Sequence, residues 1–262
     1  SAATEDVRDI YAVYWNKAIA ESLGAGDLYG EYERGEWTWQ RFSVLMHSAA
    51  EARGADKATR IGAVTDLPLN EIADAMQISS GLHYVSTEYG SVPSISYDDA
   101  AMNELAALAY TVFGNGQGFS SGYGSDTSAA TSFRGGDVLF YVGTFRDAET
   151  LASAESNWGV LPLPSYSEQT SGITAMSPSS AVLVTPRSNA LGENTSAVLK
   201  ALSLASSGVI DDAVIEYLTV SSLRDNASVR MVRAAAEKTA RTDFTAAFPS
   251  ISALQNATAE AY

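Results

Sequence analysis

The stretch Val138-Leu-Phe-Tyr-Val-Gly-Thr-Phe-Arg-Asp147 decides the class of fold. Val138, Phe140 and Val142 alternate with their neighbours, which places them on one face of a β-strand. Thr144 to Asp147 then fit the capping box that opens a helix, with Asp in place of the usual Glu. A strand that runs straight into a helix is the repeating unit of an α/β fold.

The rest of the chain continues that alternation. On the carboxyl side, Trp158–Leu161 is a short strand stopped by Pro162 and Pro164. On the amino side, Thr38 caps a helix whose buried stripe is Phe42, Leu45, Met46, Ala49 and Ala50, ending at Gly54. A second helix opens at Asn70, passes through Ile72, Ala75 and Met76, and stops at Gly81 as a left-handed cap. Leu82–Thr87 and Val92–Ser96 read as extended arms around the turn Glu88–Ser91, with Pro93 at an edge. Asp98 caps the next helix, whose stripe is Met102, Leu105, Ala106, Ala109, Val112 and Phe113. The segment from Gly114 to Asp126, GNGQGFSSGYGSD, reads as a long surface loop. Ala181–Thr185 is an apolar strand ended by Pro186, and everything beyond it reads as helical. The helices there are Thr195–Ser206 with Gly208 as C-cap, Asp211–Leu218, Asn226–Arg241 behind a cap at Asp225, and one after Pro249. No internal repeat is visible.

Composition removes several classes of function. The chain has 262 residues, a length for one large domain or two modest ones, and 46% of them are hydrophobic, enough for a sizeable core. Its 16 basic residues against 31 acidic ones leave a net charge of −15 and a pI near 4.4, with no basic run to hold a nucleic acid. There is no cysteine and there are only two histidines, His47 and His83, so disulfides, thiolate sites and histidine-rich metal sites are excluded. The longest apolar stretch, Ala100–Phe113, is too short to span a membrane and is interrupted by Asn103 and Glu104. The acidic N-terminus Ser-Ala-Ala-Thr-Glu-Asp lacks the basic and then apolar pattern of a signal peptide.

Few residues suggest catalysis. Gly118-Phe-Ser-Ser-Gly122 matches the G-x-S-x-G nucleophile elbow, which needs a tight strand-to-helix turn with an acid and then a histidine later in the chain. Both histidines precede Ser120, so a flexible loop is the plainer reading. The same loop lacks the pattern of a phosphate cradle, and no two carboxylates are brought together by spacing alone. His47 reads as a helix-surface or boundary residue, and His83, beside Tyr84, as either a structural or a ligand-contacting histidine. Trp37 and Trp39 read as core. Tyr11, Tyr14 and Trp15, on an extended lead-in to a helix, have faces suited either to a core or to stacking on sugar rings.

Several stretches, in order, resemble the extracellular solute-binding proteins of ABC transporters, in particular the carbohydrate group with a maltose-binding-like fold. They are Tyr11-Ala-Val-Tyr-Trp-Asn-Lys17 with Gly35-Glu-Trp-Thr-Trp39; Phe133 to Gly143 with Trp158-Gly-Val-Leu-Pro-Leu-Pro164; Ser179-Ser-Ala-Val-Leu-Val-Thr-Pro186; and Arg224-Asp225 before a helix containing Met231. The resemblance implies an α/β, periplasmic-binding-protein-like (type II) lobe with a mostly helical C-terminal part, lacking the N-terminal part of the first lobe. It implies that residues 1–175 are the second lobe, 176–208 a return through the first lobe, and 209–262 helices packing on the second lobe. It further implies a non-enzymatic protein without cofactor or metal that holds a small solute, an oligosaccharide, in an interlobe cleft and delivers it to permease subunits. The location it implies is extracytoplasmic, with a lipid anchor on the full-length precursor.

Carried over by position, Tyr14 and Trp15 stand at the first crossing between lobes, Gln77 and Ser80 at a helix end facing the cleft, Phe145 and Arg146 at a stacking turn, and Ser177 at the return crossing. Each has a plainer alternative: Phe145 in the core, for instance, or Arg146 paired with Glu149. Two readings from other classes stand beside this one. They are a secreted carbohydrate-active hydrolase or esterase using the Ser120 loop or an acid pair, and a surface interaction module that kept the fold and lost transport.

Overall fold

The computed structural model describes residues 7–52, 61–82, 85–86, 94–95, 99–114, 118–167, 173–177, 188–206 and 209–241. In chain order its elements are β1 (Tyr11–Asn16), α1 (Lys17–Ser22), α2 (Leu28–Glu33), α3 (Trp39–Ala52), β2 (Ile61–Thr65), α4 (Leu69–Ser79), β3 (Val85–Ser86), β4 (Ser94–Ile95), α5 (Asp99–Ala109), β5 (Gly118–Ser121), α6 (Ala130–Arg134), β6 (Phe140–Thr144), α7 (Ala148–Leu151), β7 (Trp158–Pro162), β8 (Ile173–Ala175), α8 (Gly192–Ser206), α9 (Val209–Ser221), α10 (Asn226–Ala236) and β9 (Thr239–Arg241). The main sheet has the order β5-β2-β6-β1-β7. β2 runs parallel to β5 and β6, while β1 is antiparallel to both β6 and β7, so β7 points the same way as β6.

Helices cover both faces of this sheet, and alternation along each strand feeds two cores. Tyr11, Val13, Trp15, Phe140, Val142 and Leu161 join one cluster with Trp37, Trp39, Phe42 and Met46 from around α3. Ala12, Tyr14, Tyr141, Trp158 and Val160 join the other, with Phe133, Phe145, Leu218 and Val232. Every residue of β1 is buried, as are Val138 through Val142. The one-faced alternation expected for Val138, Phe140 and Val142 is therefore replaced by burial of both faces. The capping box is present, with the Thr144 N–H donating to Asp147 Oδ2 at 2.7 Å, and it opens a short 3-10 turn, Phe145–Asp147, ahead of α7.

The helices read from periodicity are where the stripes put them. α3 buries Phe42, Leu45, Met46, Ala49 and Ala50, and Thr38 Oγ1 accepts from the Arg41 N–H. α4 is followed by Gly81 at φ 79°, the left-handed conformation that favours glycine. β3 and β4 pair antiparallel as the arms of a hairpin. The turn Glu88–Ser91 with Pro93, the cap Asp98, Gly54, His83, the strand Ala181–Thr185 with Pro186, Gly208 and the helix after Pro249 lie outside the described residues.

Two expectations are corrected. Gly118–Ser121, read as loop, is the edge strand β5. Phe119 explains it: its ring packs edge-on against Phe113 at 5.0 Å and near Phe42 at 6.5 Å. Burying one aromatic ring, about 1.5–3 kcal/mol, outweighs the loop preference of the flanking glycine and serines. The helix expected to reach Arg241 ends at Ala236, and Thr239–Arg241 form β9, parallel to β8. The β-branched Thr239 suits a strand, and β8 supplies the partner edge.

A knot of side chains fixes α10 across β7. An added Cβ at Gly159 would stand 2.1 Å from the Tyr29 hydroxyl and 2.6 Å from Trp15 Nε1. The Tyr29 hydroxyl lies 2.9 Å from Ser228 Oγ and donates to Asp225, which also pairs with Lys17 and caps α10 through the Ser228 N–H at 2.6 Å. Burial alone would raise the Asp225 carboxyl, but Lys17 and the Ser228 N–H outweigh it and hold it below the usual carboxylate range.

Gly159→Ala is expected to cost about 1–3 kcal/mol through overpacking, whereas Gly192→Ala, with nothing within 4 Å of the new methyl, shifts stability by less than about 1 kcal/mol. Urea denaturation of both variants checks this. Asp225→Ala should cost about 1–2 kcal/mol at neutral pH. Because the folded-state carboxyl is held low, its contribution is present above the unfolded value and lost as pH falls through the folded one. The gap between wild type and Asp225→Ala should therefore close in acid, as read from denaturation at pH 7 and at descending pH.

Candidate functional site

In open α/β sheets ligands collect at the carboxyl ends of the parallel strands. Here β2, β5, β6 and β7 end at one edge, and the antiparallel β1 begins there. Two chain segments meet at that edge: Ile10 and Met176 form an antiparallel bridge, and the Ser177 N–H donates to the Asp9 carbonyl at 2.9 Å. The Phe145 N–H donates to the Ile10 carbonyl at 3.0 Å, which ties the capping-box turn to the same place.

The polar groups at this edge form a connected set. The Tyr11 hydroxyl donates to Glu71 Oε1 at 2.6 Å, and the Ser177 hydroxyl donates to the same oxygen at 3.3 Å. Burial, reinforced by Glu71, pushes the Tyr11 phenol well above its ordinary value, so it stays a donor. Arg146 pairs with Asp9, its guanidinium half exposed. Further along, the Asp66 carboxylate accepts from the Ala129 N–H at 2.6 Å and the Ser128 hydroxyl at 2.6 Å, holding the start of α6. Asp147, half-buried beside this group, has its carboxyl raised by desolvation in spite of its two bonds from Thr144. Carboxylates, a planar guanidinium, a phenol and a hydroxyl are groups that recognise the hydroxyls of a polar solute. Among the described residues no group of three or more His, Cys, Asp or Glu could hold a metal ion.

The seven residues carried over from the resemblance fall into four places. Arg146 and Ser177 are brought together at the edge, through the side chain and backbone of Asp9. Arg146 pairs with Asp9, 137 positions away, rather than with Glu149. Tyr14 and Phe145 are fully enclosed in one core, where Tyr14 packs edge-on against Trp158 at 5.4 Å and its hydroxyl donates to the Thr144 carbonyl. Trp15 lies on the opposite face of β1, edge-on to Tyr29 at 5.3 Å, with its buried Nε1 lacking a partner. Packing, the plainer alternative, is where these three rings stand. Gln77 and Ser80 are at the C-terminal end of α4, whereas Glu71, in its first turn, is the end that touches Tyr11 and Ser177.

Glu71, Asp9 and Asp66 were not singled out from sequence. The signal for Glu71 is its place in the first turn of the helix that follows a parallel strand. Ser120 sits within β5 opposite Val64, not at a strand-to-helix turn, so the geometry of a nucleophile elbow is not present at this serine. His47 Nδ1 lies 2.8 Å from the Ser43 carbonyl of its own helix. Among the described residues no helix is long and apolar enough to cross a membrane.

No family model matches the sequence, and no curated protein does. Solved structures do match. The galacto-N-biose/lacto-N-biose I-binding protein of an ABC transporter from Bifidobacterium longum, in complex with lacto-N-biose, superposes with a TM-score of 0.60 at 15% identity, covering 97% of this chain and 64% of its own. The sugar-binding protein MalE from Xanthomonas citri gives 0.61 at 13% identity, over 95% of this chain and 62% of its own. An ABC substrate-binding protein from Listeria monocytogenes, in complex with cycloalternan, gives 0.53 at 10% identity, over 97% and 66%. The chain therefore has the α/β fold of ABC-transporter sugar-binding proteins and spans less than two thirds of the length of each of these three.

Phe145→Ala is expected to cost about 3–5 kcal/mol, as for a core ring, and Arg146→Ala less than about 1 kcal/mol, as for an exposed ion pair. Chemical denaturation of the two variants side by side tests the assignment. A Phe145→Ala variant as stable as wild type would return the ring to the surface.

Proposed function

We propose that this chain is the larger part of an extracytoplasmic receptor that binds a carbohydrate and presents it to the permease subunits of an ABC transporter, without catalysis of its own. The observation that carries the reading is the fold, matched over nearly the whole chain to sugar-binding proteins of that class. In this reading residues 1–175 form the second lobe, 176–208 pass through the first, and 209–262 pack back on the second. The Ile10–Met176 bridge is where the two segments cross between lobes. A further observation supports the division: α8 leaves Val198, Leu202 and Leu204 exposed, in the segment assigned to the first lobe, where additional protein would cover them.

The solute would lie against the edge built from Arg146, Ser177, Glu71, Tyr11 and Asp9. Tyr14 and Phe145 pack beneath that edge, Trp15 lies towards the other end of β1, opposite Phe140 and Gly159, and Gln77 and Ser80 are at the end of α4 away from Glu71. Closure of two lobes on a ligand is a hinge motion that a pair of crossing strands can provide.

A thermal-shift screen against lacto-N-biose, maltose and raffinose tests the proposal on two proteins. One is this chain, and the other carries the segment that precedes it in its gene. Binding to the native state raises the melting temperature by mass action. A sugar-dependent rise of several degrees in the longer protein that is lost in Arg146→Ala and Ser177→Ala is expected, and no shift in either protein with any sugar overturns the reading.

A further inference from the structure

At the same end of the sheet as the polar edge, where the end of β7 meets α2 and the residues after α10, a cavity of about 180 Å³ is walled by Tyr32, Trp37, Leu163 and Ser165, with Glu33 and Lys238 at its sides. The Lys238 amine lies 4.8 Å from the centroid of the Tyr32 ring. The chain has four lysines. Lys17 is ion-paired with Asp225. Among the described residues no carboxylate comes within ion-pair distance of Lys238, and Glu33 faces Arg230 at 3.6 Å.

We propose that Lys238 is the amine of a carbonyl-capture site, taking small aldehydes, open-chain reducing sugars among them, as reversible imines in this cavity. The step is a condensation. The Nζ lone pair forms a C–N bond to the aldehyde carbon while the C=O electron pair moves to oxygen. A proton passes from nitrogen to that oxygen, giving a carbinolamine. The hydroxyl then leaves as water as the second N–H proton is lost and the C=N bond forms. One amine and one aldehyde give one imine and one water, with no oxidant or reductant.

The surroundings provide what that step needs. Nucleophilic attack requires the free base, and burial lowers the Lys238 amine to about 8, although the Tyr32 face and the C-terminal end of α10 both favour the ammonium. Tyr32 and Trp37 offer apolar walls to the carbon skeleton, and Glu33, in the cavity lining, is the carboxylate available there for proton transfer. At pH 8 about half of such an amine is free base, against under about 1% for a lysine at its ordinary value. A weaker base is also a weaker nucleophile, which takes back about tenfold of that advantage. The net expectation is a reaction about tenfold faster than at an ordinary lysine.

The probe is glyceraldehyde, added to the 262-residue chain at several pH values with cyanoborohydride to trap each imine as a secondary amine, and read by peptide mapping in a mass spectrometer. Lys238 should label about tenfold faster at pH 8 than the lysine of an unstructured peptide added as internal standard, and its rate should level off above that pH while that of the standard keeps rising. Lys238→Arg should remove the fast site and leave labelling of the standard unchanged. Equal or slower labelling at Lys238, or parallel pH profiles for Lys238 and the standard, overturns the proposal. The readout is lysine chemistry in the unaltered chain, so its outcome is separate from that of the sugar screen.

Discussion

Burial of β1 on both faces is the constraint from which the rest of the structure follows. A strand with no solvent-facing side must give every polar atom a protein partner, because an unpaired buried donor costs about 1–3 kcal/mol. Tyr11 reaches Glu71, Tyr14 reaches the Thr144 carbonyl, and Asn16 turns its side chain to cap α1 through the Ala18 and Ile19 N–H groups. Those four bonds fix α4, the β6–α7 turn and α1 relative to the sheet. Trp15 is the exception, and its ring is held instead by Tyr29 and by the close approach of Gly159.

The same constraint places the polar edge. β1 is antiparallel to its neighbours, so its first residues lie beside the last residues of β6 and β7. The chain before β1 and the chain after β8 are thereby brought to one point, Ile10 against Met176, with Ser177 hydrogen-bonded to Asp9. In the proposed reading this is where two lobes would meet. The side chains there are polar and mutually bonded, so the protein's own contacts order the edge.

Much of the fold is legible in the sequence wherever one face of an element is solvated. The stripe of α3, the left-handed Gly81 and the capping box at Thr144 all follow from local chemistry, and the structure has them. What is illegible depends on partners far away. In β1 a doubly covered strand shows no alternation, so Tyr14 and Trp15 look equally fit to stack on a sugar or to fill a core. In β5 a single phenylalanine among glycine and serines gives no periodic signal, although its ring completes a cluster with residues from α3 and the end of the α5 region. At the site, Glu71 is one of 31 acidic residues, and its contacts with Tyr11 and Ser177 distinguish it. Arg146 has an acid three residues ahead in sequence, yet pairs with Asp9, 137 positions away.

Amide hydrogen exchange measured residue by residue is the most direct test of the central role of β1. If β1 ties both cores together, its amides and those of β6 open only in global unfolding and exchange more slowly than those of α8, whose apolar side chains are largely exposed. Exchange of the β1 amides at the rate of α8, well above the rate of global unfolding, would contradict the account.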